Sequence, residues 1–290
     1  LPFAAFPFRL SYVLFQLATA ALLAVALCAG RRDRARAGWI ALLVLLSPAA
    51  SVNWLEGQVA FLVAALLVGG TRLLPRHPIW AGVVFGLLSV KPQHALLVPV
   101  MLVAMGAWRT ILSACATAVC LAASSALLFG PGIWTAWVDA ILHYPSIDSV
   151  WDNSVHTCAI LLGAGKIGAA VVQAAAIGLG AALVFAVSNH RGASVSLRVA
   201  ILLAATNLAS PHTGPYDMIL QVIAGALLLT ETVPVPPLFW TLGLCVWLLP
   251  LLSQPAISPV ARFAPLLTLV LLGCLFERVR RQGSHAVVGG

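Results

Sequence analysis

The chain has 290 residues, of which 61% are hydrophobic and only 8% charged, with a formal net charge of +8. Soluble domains carry about a quarter charged residues, so this composition excludes a water-soluble globular enzyme and is that of a polytopic membrane protein. The basic residues sit in short loops between apolar segments rather than on one stripe, which argues for membrane topology and against a nucleic-acid partner.

Apolar windows of about 20 residues predict spanning helices near 11–30, 111–130, 167–188 and 259–277. Shorter apolar runs follow at 39–52, 58–70, 79–90, 94–107, 199–209, 217–230 and 238–252. The expected fold is therefore all-α, a polytopic transmembrane bundle of about ten or eleven membrane segments, several of them short or broken. It forms a single integral membrane domain over residues 1–290, in which 131–166 is the one long external connection. Within that connection Trp134, Trp137, Val138, Ile141 and Leu142 recur near helical spacing, which predicts an amphipathic helix lying on the membrane. The Gly/Ala-rich stretch 163–182 reads as close helix packing, and the scattered cysteines read as small core residues.

Alternation of the segments places Arg31, Arg32, Arg34, Arg36, Arg72, Arg76, Arg109, Arg191, Arg198, Arg278, Arg280 and Arg281 on one side, which the positive-inside rule assigns to the cytoplasm. Glu56, Asp139, Asp148, Asp152 and Asp217 then fall on the opposite, external side, together with the few cations Arg9, Lys91, Lys166 and Arg262.

Three polar motifs break the apolar pattern on that external side. Lys91-Pro92-Gln93 follows an apolar run, and its proline removes a backbone donor beside the lysine. Such a break is tolerated where it is buried in protein or lines a cavity, so Lys91 reads as a cation facing a buried anion, with Gln93 and His94 as hydrogen-bonding neighbours; snorkelling to the surface is the other reading. Asn53-Trp54-Leu55-Glu56-Gly57-Gln58 combines amides, an aromatic face and a carboxylate, the chemistry of a sugar cradle or of a polar turn anchored at the interface. Ser210-Pro211-His212-Thr213-Gly214-Pro215-Tyr216-Asp217 restarts a helix. There Asp217 reads either as a cap or as a site carboxylate, and His212 as a proton donor or positive charge for a phosphate. Asp148, Asp152 and His156 are spaced to share one helical face as a paired acid and base, or as a solvated face.

In these motifs, taken in their order and on their common face, the chain resembles glycosyltransferase family 87, polyprenol-phosphate-mannose-dependent mannosyltransferases of the multi-spanning GT-C class. The chain begins at Leu1-Pro2-Phe3 without a methionine, and Leu1 to Leu10 resembles the stretch just before the family's second span. The resemblance thus implies that the family's first span and first external loop, with the aspartate taken as catalytic base, lie ahead of residue 1.

The activity implied is transfer of a hexose, mannose in the first instance, from a polyprenyl-phosphate sugar donor to a glycolipid or glycan acceptor. It would occur at the periplasmic face of a bacterial inner membrane, by inverting displacement, among membrane lipids and without cofactor or metal. Lys91 and His212 are then candidates for the donor phosphate, with Arg9 a further cation. Gln58, Gln93, Asn53, Trp54 and Tyr216 are candidates for donor and sugar contacts. His212, Asp217, Glu56 and Asp152 are the catalytic candidates. The alternative is a transporter or flippase for a lipid-linked or amphipathic solute. Transporter sites lie near the midplane between repeated halves, whereas these polar groups lie towards one side and no repeat is visible.

Overall fold

A computed structural model of the chain describes residues 5–31, 33–143, 152–190, 192–231, 235–252 and 263–288. The described residues form α-helices joined by short turns, in the order α1 (Phe8–Cys28), α2 (Arg34–Leu45), α3 (Pro48–Glu56), α4 (Ala60–Leu73), α5 (Pro78–Gly86), α6 (Val98–Ala104) and α7 (Trp108–Phe129). There follow α8 (Gly132–Leu142), α9 (Val155–Leu161), α10 (Gly165–Asn189), α11 (Val195–Ala209), α12 (Ile219–Thr230), α13 (Pro237–Leu252) and α14 (Ala264–Val288). Short 3-10 turns stand at Leu87–Val90, Pro92–Ala95 and Pro215–Met218.

Local chemistry sets the boundaries. Asp33 caps α2 by accepting from the Arg36 amide, and Ser47, Ser154 and Ser194 cap α3, α9 and α11 in the same way. Helix α3 starts on Pro48, whose fixed φ suits a first helical position, and stops at Gly57, which adopts φ 65°. A Cβ at Gly57 would also come within 2.9 Å of the Tyr12 ring, so this turn accepts glycine on two grounds.

The expected ten or eleven membrane segments are corrected by this architecture. Among the described residues three helices, α1, α7 and α10, are long and apolar enough to cross a membrane, or four if α2 and α3, bent by 54°, count as one span. The remaining apolar runs fold as shorter helices, and a 12-residue helix such as α12 is roughly 18 Å long against a hydrocarbon core of about 30 Å. Of the fourth span expected, 259–277, residues 259–262 lie outside the described residues, and the described part, in α14, is not among these three helices. Helix α14 meanwhile runs from apolar sequence straight into Glu277, Arg278, Arg280 and Arg281.

The short helices are core. Every residue from Val199 in α11 to Ser210 is buried, and α4 is buried over most of its length. A helix that is apolar all round belongs inside protein as readily as inside lipid, which is why hydropathy alone counted these helices as spans. The long helices flank this core: α1 packs on α4, α10 on α11, and α7 on α5. The last contact is backbone-close, since a Cβ at Gly82 or Gly86 would lie 2.5 Å from Ser113 or Thr117 of α7. In the 131–166 connection α8 is exposed from Gly132 to Ala140, with Trp134 and Trp137 in edge contact at 5.9 Å.

Candidate active site

The segment Ser210–Asp217 links the end of α11 to the start of α12, and two other parts of the chain close on it. From one side comes the break at Lys91. Between the 3-10 turns Lys91 leaves the helical conformation, at φ -142° and ψ 74°, and its Nζ reaches Asp217 Oδ1 at 2.5 Å. The side chains are 11% and 1% exposed, so the pair is largely withdrawn from water. His94, fully buried, places Nε2 3.4 Å from the same oxygen, and the Lys91 ammonium stands 4.8 Å from the centre of the Tyr216 ring. Asp217 Oδ2 accepts from the Gly214 amide at 3.2 Å. Asp217 thus folds its own loop as well as pairing with Lys91.

From the other side comes the start of α9. Asp152, wholly buried, accepts from the Ser154 amide (2.9 Å), Ser154 Oγ (3.1 Å), Thr157 Oγ1 (3.0 Å) and the Thr213 amide (3.1 Å). The Asn153 amide in turn donates to the Thr213 carbonyl at 2.8 Å. His212 is partly exposed, with Nδ1 3.4 Å from Asp152 Oδ2, an ion-pair distance without hydrogen-bond alignment. The Asp152 carboxylate raises the His212 pKa above its ordinary value, outweighing the burial that lowers it. The spacing of Asp152 and His156 does not put them on one helix face: α9 begins at Val155, and the histidine that faces Asp152 is His212. Asp148 lies outside the described residues.

Helix α3 packs against the Pro215–Met218 turn and brings the third motif alongside. Asn53 is buried and fully engaged, its Nδ2 donating to Gln16 Oε1 at 2.9 Å and its Oδ1 accepting from the Ala60 amide at 2.9 Å. Gln16 Nε2 completes the link by donating to the Gln58 carbonyl at 3.0 Å. Trp54 packs edge-on against Phe61, 6.2 Å between ring centres. Glu56 is exposed, within electrostatic reach of Asp217, and has no hydrogen bond or ion pair among the described residues. Arg9 is likewise exposed, one turn before Tyr12 on α1, and Gln93 is half-buried beside Lys91.

The structure therefore brings Lys91, Tyr216, Asp217, His212, Asp152 and Glu56 to one end of α12. It gives Asn53, and the carbonyl of Gln58, a role in holding the turn. Sequence reasoning missed Gln16 and the partners Ser154, Thr157 and Thr213. A glutamine buried in an otherwise apolar first helix was the available signal for Gln16.

An all-α bundle with spanning helices and a charged, part-buried polar cluster where broken helices meet is consistent with a membrane-associated glycosyltransferase of the GT-C class. The chain belongs to glycosyltransferase family 87, whose family model matches residues 1–211. No curated protein and no solved structure matches the chain. The family match ends inside the central loop, so His212, Tyr216 and Asp217 lie just past it, joined to the matched part by Asp152 and Lys91.

Proposed function

We propose that this chain transfers a hexose, with mannose the first candidate, from a polyprenyl-phosphate sugar to a glycolipid or glycan acceptor at the external face of a bacterial inner membrane. The observation that carries this reading is the Lys91–Asp217 pair with His94, Tyr216 and His212 around it. A lipid-phosphate leaving group needs positive charge and hydrogen-bond donors that are already in place. An ammonium has three donors, of which Asp217 takes one. The carboxylate fixes the position of Lys91 and leaves the rest of its donors for a phosphate oxygen.

In the reaction the acceptor hydroxyl oxygen attacks C1 of the sugar, and the bond from C1 to the phosphate oxygen breaks with its electron pair going to the phosphate. The hydroxyl proton passes to a carboxylate. Asp217 is committed to Lys91 and Gly214, and Asp152 accepts from four donors. Both are positioning residues in this reading, and Glu56, exposed and without a hydrogen bond or ion pair among the described residues, is the carboxylate at this end of α12 left to take the proton. His212 supports the leaving phosphate with charge held by Asp152. Tyr216 and Gln93 border the donor, and Trp54 and Gln58 the sugar. Arg9 stands at the start of α1 as an outer cation for the donor lipid.

Protein reconstituted in vesicles with polyprenyl-phosphate-mannose and a glycolipid acceptor should release polyprenyl phosphate. No release across a panel of donors and acceptors, together with uptake of solute into the vesicles, would replace this reading with transport.

A further inference from the structure

The opposite end of the bundle carries a second charged cluster. Helix α12 leads away from Asp217 to Thr230, whose carbonyl accepts from Arg36 Nη2 at 2.7 Å. Close by, Arg72 donates from Nη1 to the carbonyls of Ala26 (2.8 Å), Leu27 (2.7 Å) and Ala29 (2.8 Å), tying the end of α1 to α4. Gly30 then turns the chain at φ 71° and delivers Arg31 beside Arg72. Arg31 is half-buried, and its Nε and Nη2 have no hydrogen-bond partner among the described residues. Glu231 supplies the counter-charge within reach, but its Oε2 already accepts from Ser194 Oγ at 3.0 Å. Asp33 is taken up in capping α2. Among the described residues Arg31 and Arg72 are thus balanced by Glu231, beside which Arg36 and Arg278 donate to the backbone carbonyls of Thr230 and Glu231, and two buried donors of Arg31 are left over.

Beside this cluster a cleft of about 480 Å³ opens between α1, α4 and α5. Its walls are apolar, among them Leu22, Val25, Leu66, Gly69 and Leu87, while Arg72, Arg76 and His77 stand at its edge. Val25 is exposed and Gly69 and Leu87 half-buried, so the cleft is open to whatever surrounds the bundle. An apolar channel with guanidinium groups at one end matches an acyl chain with a phosphodiester attached, because guanidinium forks pair phosphate oxygens in charge and geometry. Basic pockets between membrane helices bind anionic headgroups on the same principle.

We propose that this cleft binds an anionic glycerophospholipid, one acyl chain lying between α1, α4 and α5 and the phosphate held by Arg76, with Arg72 and His77 beside it. This site is distinct from the Lys91–Asp217 cluster and independent of the transfer reaction. A lipid that binds only the folded protein raises its stability by mass action. The test uses the full chain in neutral detergent, titrated with phosphatidylglycerol, with phosphatidylcholine of the same acyl chains, or with inorganic phosphate, following the thermal midpoint. Phosphatidylglycerol should raise the midpoint while the other two leave it in place.

Gly69→Leu should shift the response to roughly tenfold higher lipid concentration, because a Cβ there meets only Ala26 at 3.8 Å and the added branch fills the cleft. Arg76→Gln, at an exposed position that the fold does not require, should shift it similarly. An equal rise with phosphatidylcholine, the full rise with inorganic phosphate alone, or wild-type responses in both variants would overturn the proposal.

Discussion

Lys91 Nζ and Asp217 Oδ1, separated by 126 residues of chain, stand 2.5 Å apart, with the carboxylate 1% exposed. Removing one member of such a pair leaves the other as an uncompensated buried charge. Asp217→Ala is therefore expected to lower stability by about 3–5 kcal/mol. The double variant Lys91→Met/Asp217→Leu should recover most of that loss, since apolar groups of similar size replace a buried pair at little cost. Thermal unfolding of the three proteins in detergent checks both statements.

Asp152 serves the same loop from the α9 side. Asp152→Ala strands the Ser154 and Thr213 amides and the hydroxyls of Ser154 and Thr157, and should cost at least about 3 kcal/mol. Hydrogen exchange should rise at the Thr213 and Ser154 amides while the α4 and α11 amides stay protected. A uniform rise in exchange would mean that Asp152 supports the whole bundle instead of the loop.

The His212–Asp152 contact sets a pH dependence. Because the folded pKa lies above the ordinary imidazole value of 6.5, the protonated histidine favours the folded state. That contribution is complete below the ordinary value and fades as pH rises through the raised folded value. The difference in midpoint between wild type and His212→Gln should accordingly be largest in mildly acid buffer and shrink towards alkaline pH.

Gly57→Ala places a Cβ in the left-handed region and against the Tyr12 ring, 2.9 Å away. The expected loss is about 1–2 kcal/mol. Tyr12→Ala in the same background should relieve the steric part and leave the backbone part, a partial rescue visible in the thermal midpoint.

Glu56 is exposed and has no hydrogen bond or ion pair among the described residues, so Glu56→Gln should fold as wild type does. The proton-acceptor role proposed for it predicts a fall in kcat of roughly a hundredfold or more, with donor affinity maintained. A turnover assay beside a donor-binding assay separates the two effects.

Much of this was legible in the sequence at the level of elements. The breaks at Gly57, Lys91-Pro92 and Ser210-Pro211 stand where the chain turns. The number of spans was not legible, because α4, α11 and α12 are apolar for burial against one another, and hydropathy reads burial and lipid contact alike. Side-chain partners were the other blind spot. The sequence marks Lys91 as facing an anion without naming that anion, and helical spacing groups Asp152 with His156. Its actual partners come from a cap at Ser154 and from a loop some 60 residues on (the Thr213 contact spans 61). Contacts of that range depend on how α9 and α11 pack, which local patterning does not carry.

The most direct test of the central claim is the affinity of polyprenyl phosphate for wild type and for Lys91→Met/Asp217→Leu, compared at equal folded fraction. If the pair holds Lys91 ready for the donor phosphate, the folded double variant should bind at least roughly tenfold more weakly. Equal affinity in the two proteins would contradict the account and leave the Lys91–Asp217 pair with a structural role alone.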